Sequence, residues 1–403
     1  MKSLLQWVSG VFALLIVGAY SWESLRFART DLLYRENTPE ALRKAVEMEP
    51  GNAAYHMLRA EHREGAGEDP LPELIQSSKL SPFDSQILMR VAMRAESVGD
   101  LSRSEAFLLR AAAVDKKFVP RWALANYYFR RGNGEEFWKW LGRSLEMSSP
   151  EDSDGIFRMA WEQSSDGEAI LRHIPDSRVI AARYLRFLIR TERLEAAAVV
   201  ARRAAATATE DELPLLLTFC ERAQATRSGV AVSVWNVMTA RKLLPFAPLD
   251  PSQGAIVGNK DFLLLPSPRG FDWRIPSVEG VYAAQASDGH GLTATLSGNQ
   301  PEDCVLVEQI LPLIPGKRYR IGYEYSALSD QQVAGLQWEL SGPAGAAATS
   351  PEMVAGSGWK TGQILFTATD QWGKLSLRYH RASGKVRAEG TIKIRALTDQ
   401  LVK

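Results

Sequence analysis

Four segments of this chain close one apolar-periodic run and open the next around a short polar turn: KAVEMEPGNAAY, QSSKLSPFDSQI, RAAAVDKKFVPRW and GRSLEMSSPEDS. Superposing the turns makes Pro50, Pro82, Lys116 and Pro150 equivalent, separated by 32, 34 and 34 residues. A fixed period of that length constrains the fold more than any other feature. Each unit becomes a supersecondary element that can bury its apolar face only on its neighbours. The period predicts ten to twelve helices stacked as a right-handed solenoid over residues 36–245, with everything else attached to that array.

The helix pair closed by proline resembles the tetratricopeptide repeat (TPR). In 85–118 the small packing positions of that motif fall on Ala92, Ser104 and Ala111, with Val91 and Leu108 as larger neighbours. In 119–152 Trp122 takes the leading aromatic position and Phe129 the later one, while Trp138 and Gly142 stand where alanine and a bulky residue are expected, which predicts an altered packing register. The opening unit offers Ala45 and Pro50 only, and HREGAGEDPLPEL breaks the next with Gly and Pro. Past Pro150 the proline spacing stops but the helical period continues: Leu194, Ala197, Ala198, Ala201 and Ala205 share one face, and VSVWNVMTARKLL reads as a closing helix stopped by Pro245 and Pro248. The resemblance implies a concave face that binds a protein partner. EEFWKW puts Phe137, Trp138 and Trp140 on a single helix where all three cannot face inward, so these are the candidate partner-binding residues.

After a linker at 246–257 the alanine-rich helical periods give way to short alternating runs set off by Gly, Pro, Ser and Asp. Ten strands are expected: DFLLL, FDWRI, VYAAQ, LTATLSG, CVLVEQILPL, RYRIGYEYSA, GLQWELSG, WKTGQILFTA, KLSLRYHRA and GTIKIRAL. RYRIGYEYS alternates most cleanly, with Tyr319, Ile321, Tyr323 and Tyr325 on one face. Many short strands with no helix between them point to an all-β jelly-roll sandwich over 258–400.

The order NKDF, VLVEQILPLIPGKRYRIGYEY, WKTGQILFTA and LSLRYHRASGKVRAEGTIKIRAL resembles the galactose-binding-like β-sandwich of many carbohydrate-binding modules. That resemblance implies polysaccharide as the ligand class. In the calcium-bearing members of that fold, acidic residues near the first and last strands help hold the ion. Here Leu263 and Arg395 stand at those positions, and no metal is expected. An indole can stack on a pyranose ring, and Trp273, Trp338, Trp359 and Trp372 are the available platforms. Trp338 and Trp359 lie in alternating strands and read as core, whereas Trp372, in the turn-like TDQWGK, reads as exposed. In FDWRI, alternation sends Phe271, Trp273 and Ile275 one way and Asp272 with Arg274 the other, leaving that pair to line a surface. Trp372, Asp272 and Arg274 are therefore the candidate ligand-binding residues.

The stretch SLLQWVSGVFALLIVGAYSW, Ser3 to Trp22, carries no charge over 20 residues, about the length a helix needs to cross a bilayer. Residues 1–35 then read as a membrane anchor with a helical extension. A cleaved signal peptide ending at Ala19-Tyr20-Ser21 is the rival, and the anchor is favoured because the helical pattern runs on through ESLRFARTDLLYREN. The remaining residues are expected outside an inner, cytoplasmic membrane.

The 403 residues carry 48 Lys+Arg against 47 Asp+Glu, so no global field recruits nucleic acid. Cys220 and Cys304 fall in different regions and five scattered histidines show no metal-ligand spacing, so neither disulfide framework nor zinc site is expected. Asp261, Asp272, Glu279, Glu302, Asp303 and Glu308 offer carboxylates in number, but no spacing singles out a catalytic pair. Nucleophile elbow, phosphate loop and dinucleotide fingerprint are absent. No cofactor or catalytic residue is assigned. The arrangement resembles membrane-anchored bacterial TPR proteins, some of which accompany cell-envelope or exopolysaccharide assembly. It implies a non-catalytic scaffold with a protein on the helices and glycan on the sandwich. The alternatives are a purely protein-binding scaffold and a polysaccharide-active enzyme.

Overall fold

The computed structural model describes residues 2–226, 228–327, 334–343, 345–356 and 358–402. Among them are fourteen helices followed by nine strands. The first helix, α1 (Lys2–Glu36), runs unbroken past Ala19-Tyr20-Ser21, and its portion from Gly10 is long and apolar enough to cross a membrane. Asn37, at φ 52°, ends it, and the Thr38 hydroxyl then caps α2 (Pro39–Met48) by accepting from Ala41 N at 3.2 Å.

Two compact units make up the chain. One holds residues 1–163 with 173–175, the other 164–172 with 176–403. The first contains α1, α2, α3 (Ala53–Gly65), α4 (Leu71–Leu80), α5 (Ser85–Ser97), α6 (Leu101–Val114), α7 (Phe118–Arg130), α8 (Gly134–Met147) and α9 (Pro150–Gln163). Helices α5 with α6 and α7 with α8 are the two units legible from the motif, and the same turn closes both. Gly99 (φ 82°) and Gly132 (φ 66°) take the left-handed conformation that ends α5 and α7. The next residue's N–H then reaches back five positions, Asp100 to Ala95 O at 2.9 Å and Asn133 to Tyr128 O at 3.1 Å. The same Asp100 and Asn133 cap α6 and α8, accepting from Arg103 N and Glu136 N. Between α5 and α6 the small side chains Ala92, Ser104 and Ala111 are fully buried, as their motif positions require.

The second unit begins with most of α10 (Gly167–His173) and continues with α11 (Arg178–Arg190), α12 (Leu194–Thr207), α13 (Leu213–Ala223) and α14 (Ser228–Ala240). With α2–α9 this makes thirteen helices after the first, one more than the period predicts. The strands are β1 (Val281–Gln285), β2 (Leu292–Ser297), β3 (Asp303–Pro312), β4 (Arg318–Ala327), β5 (Leu336–Gly342), β6 (Gly345–Thr349), β7 (Lys360–Thr367), β8 (Trp372–His380) and β9 (Glu389–Val402). They form two antiparallel sheets, ordered β1-β2-β9-β4-β7 and β3-β8-β5-β6. The core between them holds Tyr319, Ile321, Tyr323 and Tyr325, so the cleanest alternation in the sequence is also buried as it predicts.

Two expected strands are not strands. DFLLL and FDWRI are irregular, and Arg274 makes a single bridge to Glu308. Asn259, Phe262 and Gly270 all have φ near +50° to +57°, a left-handed conformation that turns the backbone out of the extended path. At Gly270 a Cβ would also lie 2.5 Å from the Trp235 ring of α14. The segment sends its aromatics into the sandwich core: Trp273 packs on Phe262 at 5.0 Å and on Trp338 at 5.8 Å. One strand, β6, went unpredicted because GAAAT has neither β-branched nor alternating character before its last residue.

The stretch read as a linker is pinned within this unit. The Asn236 side chain on α14 both donates to and accepts from the backbone of Leu249, at 2.7 and 2.8 Å. Asp399 on β9, its side chain wholly buried, accepts from Ile256 N, Val257 N and the Lys260 ammonium. The change of texture near 246 marks a change of secondary structure, while the compact unit runs through it.

Candidate functional site on the five-stranded sheet

Strand alternation gives each sheet one face for the core and one for solvent. On the solvent face of the five-stranded sheet, Glu324 of β4 sits in register with Thr361 of β7 on one side and Arg395 of β9 on the other. Arg395 Nε donates to Glu324 Oε2 at 2.9 Å, and its guanidinium carbon lies 3.8 Å from the ring centroid of Trp359, just before β7. The cation is thus held by a carboxylate and by the negative π-face of an indole. Trp359 remains 41% exposed.

Two residues along β4, Gly322 aligns with Gln363 and Thr398. A Cβ there would come within 2.7 Å of Thr398 Oγ1, so glycine leaves room for that hydroxyl beside the exposed Gln363 side chain. Arg320 follows, between Leu365 and Gln400. Toward the far edge, the Thr295 and Thr391 hydroxyls pair at 2.9 Å and Tyr282 stands 70% exposed. The face therefore joins an exposed indole and an exposed phenol through hydroxyl, amide, guanidinium and carboxylate groups. Aromatic rings can stack on a flat apolar ring, and the polar groups can bond its hydroxyls.

The other sheet carries a denser polar cluster on its solvent face. Arg378 of β8 makes two bonds to Asp303, at 2.7 and 2.9 Å, and one to Glu339 at 3.0 Å. His380 Nδ1 lies 3.4 Å from Asp303. The Arg378 hydrogen bond holds the Asp303 carboxyl below its ordinary range. A cavity of about 420 Å³ opens beside the cluster, lined also by Gln337 and Ser341. Both carboxylates already face the same guanidinium, which suits a structural cross-strand clamp. Among the described residues, no three His, Cys, Asp or Glu side chains gather as a metal-binding group.

The residues singled out from sequence fall elsewhere. Asp272 is not on a surface strand: it is 1% exposed and closes the 259–273 segment, accepting from Ser267 N at 2.7 Å, Trp273 N at 2.8 Å and Asn259 Nδ2 at 3.2 Å. Burial pushes its carboxyl up more than these donors pull it down. Arg274 is not bonded to it: its guanidinium lies 3.2 Å from the side-chain amide of Gln224, just past α13, so the two do not form a shared polar face. Trp372 is half-buried at the start of β8, opposite Pro312, and is no exposed platform. Trp359, read as core, is the exposed indole. Strand parity could have found it, since the buried Ile364 and Phe366 of β7 have even numbers and Trp359 is odd.

On α8, Phe137 and Trp140 are buried and only Trp138 is half-exposed, stacked on His173 at 4.6 Å. Phe137 packs on Phe129, and Trp140 Nε1 donates to Glu136 at 3.0 Å while Arg143 lies over its ring. Of the three, Trp138 alone offers surface to a partner. The buried Gly142 lets the 173–175 segment approach, with His173 O and Pro175 in van der Waals reach of its would-be Cβ.

No protein-family model matches the sequence, and no curated protein matches it. Among solved structures the chain is similar to a CBM4 carbohydrate-binding module, at 14% identity and TM-score 0.28, over 36% of this chain and 98% of that one. It is similar to the enzymatically active domain of a bacteriophage tailspike protein, at 11% identity and TM-score 0.25, over 38% of this chain but only 22% of that one. It is also similar to the C-terminal part of a TPR repeat-containing protein from Cytophaga hutchinsonii, at 13% identity and TM-score 0.29, over 53% of this chain and 94% of that one.

Proposed function

We propose that this chain is a membrane-anchored, non-catalytic scaffold. Its bulk lies outside the inner membrane, its helical pairs hold a protein partner, and the solvent face of its five-stranded sheet binds glycan, with a role in cell-envelope or exopolysaccharide assembly. The observation that carries the glycan reading is Trp359, an exposed indole oriented by Arg395 and bordered by Glu324, Gln363 and Thr398 on rigid strands. The protein-partner reading is supported by apolar side chains left at the surface of the first unit beyond α1, Phe83 and Met93 foremost. The non-catalytic reading is supported by the engagement of Asp303 and Glu339 with one arginine, which occupies both carboxylates in a cross-strand ion pair.

The test is a polysaccharide array probed with the full chain in detergent, followed by calorimetry on any hit. Trp359→Ala is expected to lower affinity roughly tenfold or more, the loss of one aromatic platform. Absence of binding to every polysaccharide, or a Trp359→Ala protein that binds as well as the parent, would sink the reading. Release of new reducing ends from a bound polysaccharide would revive the enzyme.

A further inference from the structure

Helices α11 and α13 and the 263–270 segment of the sandwich enclose a groove of about 530 Å³ in the second unit. Arg186 and Arg190 enter it from α11, Arg222 from α13 and Arg269 from the sandwich segment, against a single carboxylate, Glu192. Arg186 and Arg190 are four apart on α11, as are Thr218 and Arg222 on α13, so each helix turns one stripe into the groove. Among the described residues none forms an ion pair with Arg186, Arg222 or Arg269, whereas most arginines of the first unit's helices are engaged by a carboxylate. Three elements thus deliver unneutralised guanidinium groups to one concavity in a chain whose net charge is only +1. Such convergence is unfavourable without an anion and supplies planar forks matched to carboxylates.

The groove also carries Ile189, Pro214 and Leu215, and its lining includes no aromatic ring. A carboxylated polysaccharide would find charge there but no platform for a sugar face. A polypeptide alternating acidic and apolar side chains matches both halves of the lining. We propose that this groove binds an acidic peptide segment of a partner protein, with glutamates or aspartates on Arg186, Arg222 and Arg269 and aliphatic side chains on Ile189 and Leu215. The site goes beyond the glycan reading above and stands without it, since no residue of the Trp359 face takes part.

The experiment is fluorescence anisotropy of the full chain in zwitterionic detergent with three labelled probes: a glutamate-rich peptide carrying leucines, its lysine-for-glutamate counterpart, and an oligogalacturonate. The acidic peptide is expected to bind alone of the three and to weaken as salt is raised. Arg186→Glu with Arg222→Glu is expected to reduce its affinity roughly tenfold or more. Arg269→Glu, in an exposed segment outside the helices, is expected to reduce it in the same direction and keeps the test informative should the double variant fail to fold. Arg222→Lys should fall between, because lysine keeps the charge but loses the fork. Equal binding of the lysine peptide, tighter binding of the oligogalacturonate, or unchanged affinity in folded variants overturns the proposal.

Discussion

The α5–α6 hairpin and the sandwich solve the same burial problem over very different sequence distances. In the hairpin, Ala92, Ser104 and Ala111 meet across a turn made by Gly99 and Asp100, all within one repeat. In the sandwich, Trp273 packs on Trp338, and Asp399 holds the backbone of Ile256 and Val257, 143 and 142 residues away. The repeat is therefore a sum of local units and their nearest neighbours. The sandwich stands or falls on a few long-range closures, and those closures are made by the irregular 256–274 segment, not by a strand.

The sharpest way to break this contrast is Trp273→Ala. Removal of a fully buried indole from the closing segment is expected to destabilise the second unit by about 3–5 kcal/mol, seen as a lowered denaturant midpoint with loss of near-ultraviolet signal. A loss confined to the 256–274 segment, with the sheets intact by hydrogen exchange, would show that the segment is an appendage. Next is Asp399→Asn, which weakens the acceptor for two backbone N–H groups and a lysine. A loss of about 2–3 kcal/mol is expected by the same denaturation experiment. A change near zero would mean that a neutral amide oxygen serves as acceptor equally well and that the long-range closure is not electrostatic.

For the repeat, Gly99→Ala puts a side chain at φ 82° with open space around it, so only backbone strain is felt. The expected loss is about 1 kcal/mol, with hydrogen exchange accelerated in α5 and α6 and unchanged in the sandwich. Exchange that speeds up throughout both units would show that the repeat is not locally stable.

The smallest effects are two acid-range slopes of opposite sign. Asp303 has its carboxyl lowered by Arg378, so its contribution is present above the ordinary value of 3.8 and is lost as pH falls through the depressed folded value. Asp272 is raised by burial, so the folded state holds its proton longer, and its contribution falls as pH rises from 3.8 through the elevated folded value. Against the parent protein, Asp303→Asn should flatten the loss of stability below 3.8 and Asp272→Asn should flatten the loss above it, read from urea midpoints against pH. Slopes of the same sign in both variants would contradict the burial assigned to Asp272.

Much of the fold was legible because it is written in short-range pattern. VYAAQ and RYRIGYEYSA coincide with β1 and β4, and the α5 and α7 turns appear as Val-Gly-Asp and Arg-Gly-Asn at equivalent places. The site was less legible. FDWRI alternates like a strand, yet three left-handed residues upstream and the Gly270 approach to Trp235 bend it into a closing loop, turning Asp272 inward beside Trp273. Phe137 and Trp140 lie three apart on α8, so both face the core and Trp138 alone turns outward, stacked on His173.

By itself the sequence determined the period of the helices, the apolar reach of α1, and the alternation of most strands, because each depends on residues within a turn or two of one another. Tertiary structure alone decided that the last helices share a compact unit with the sandwich, that Arg395 crosses β4 to cover Trp359, and that arginines from α11, α13 and the 263–270 segment converge in one groove. Those outcomes rest on which strand lies beside which and where a loop is pinned. No local period encodes them, since burial and charge are properties of the surroundings that distant parts of the chain bring together.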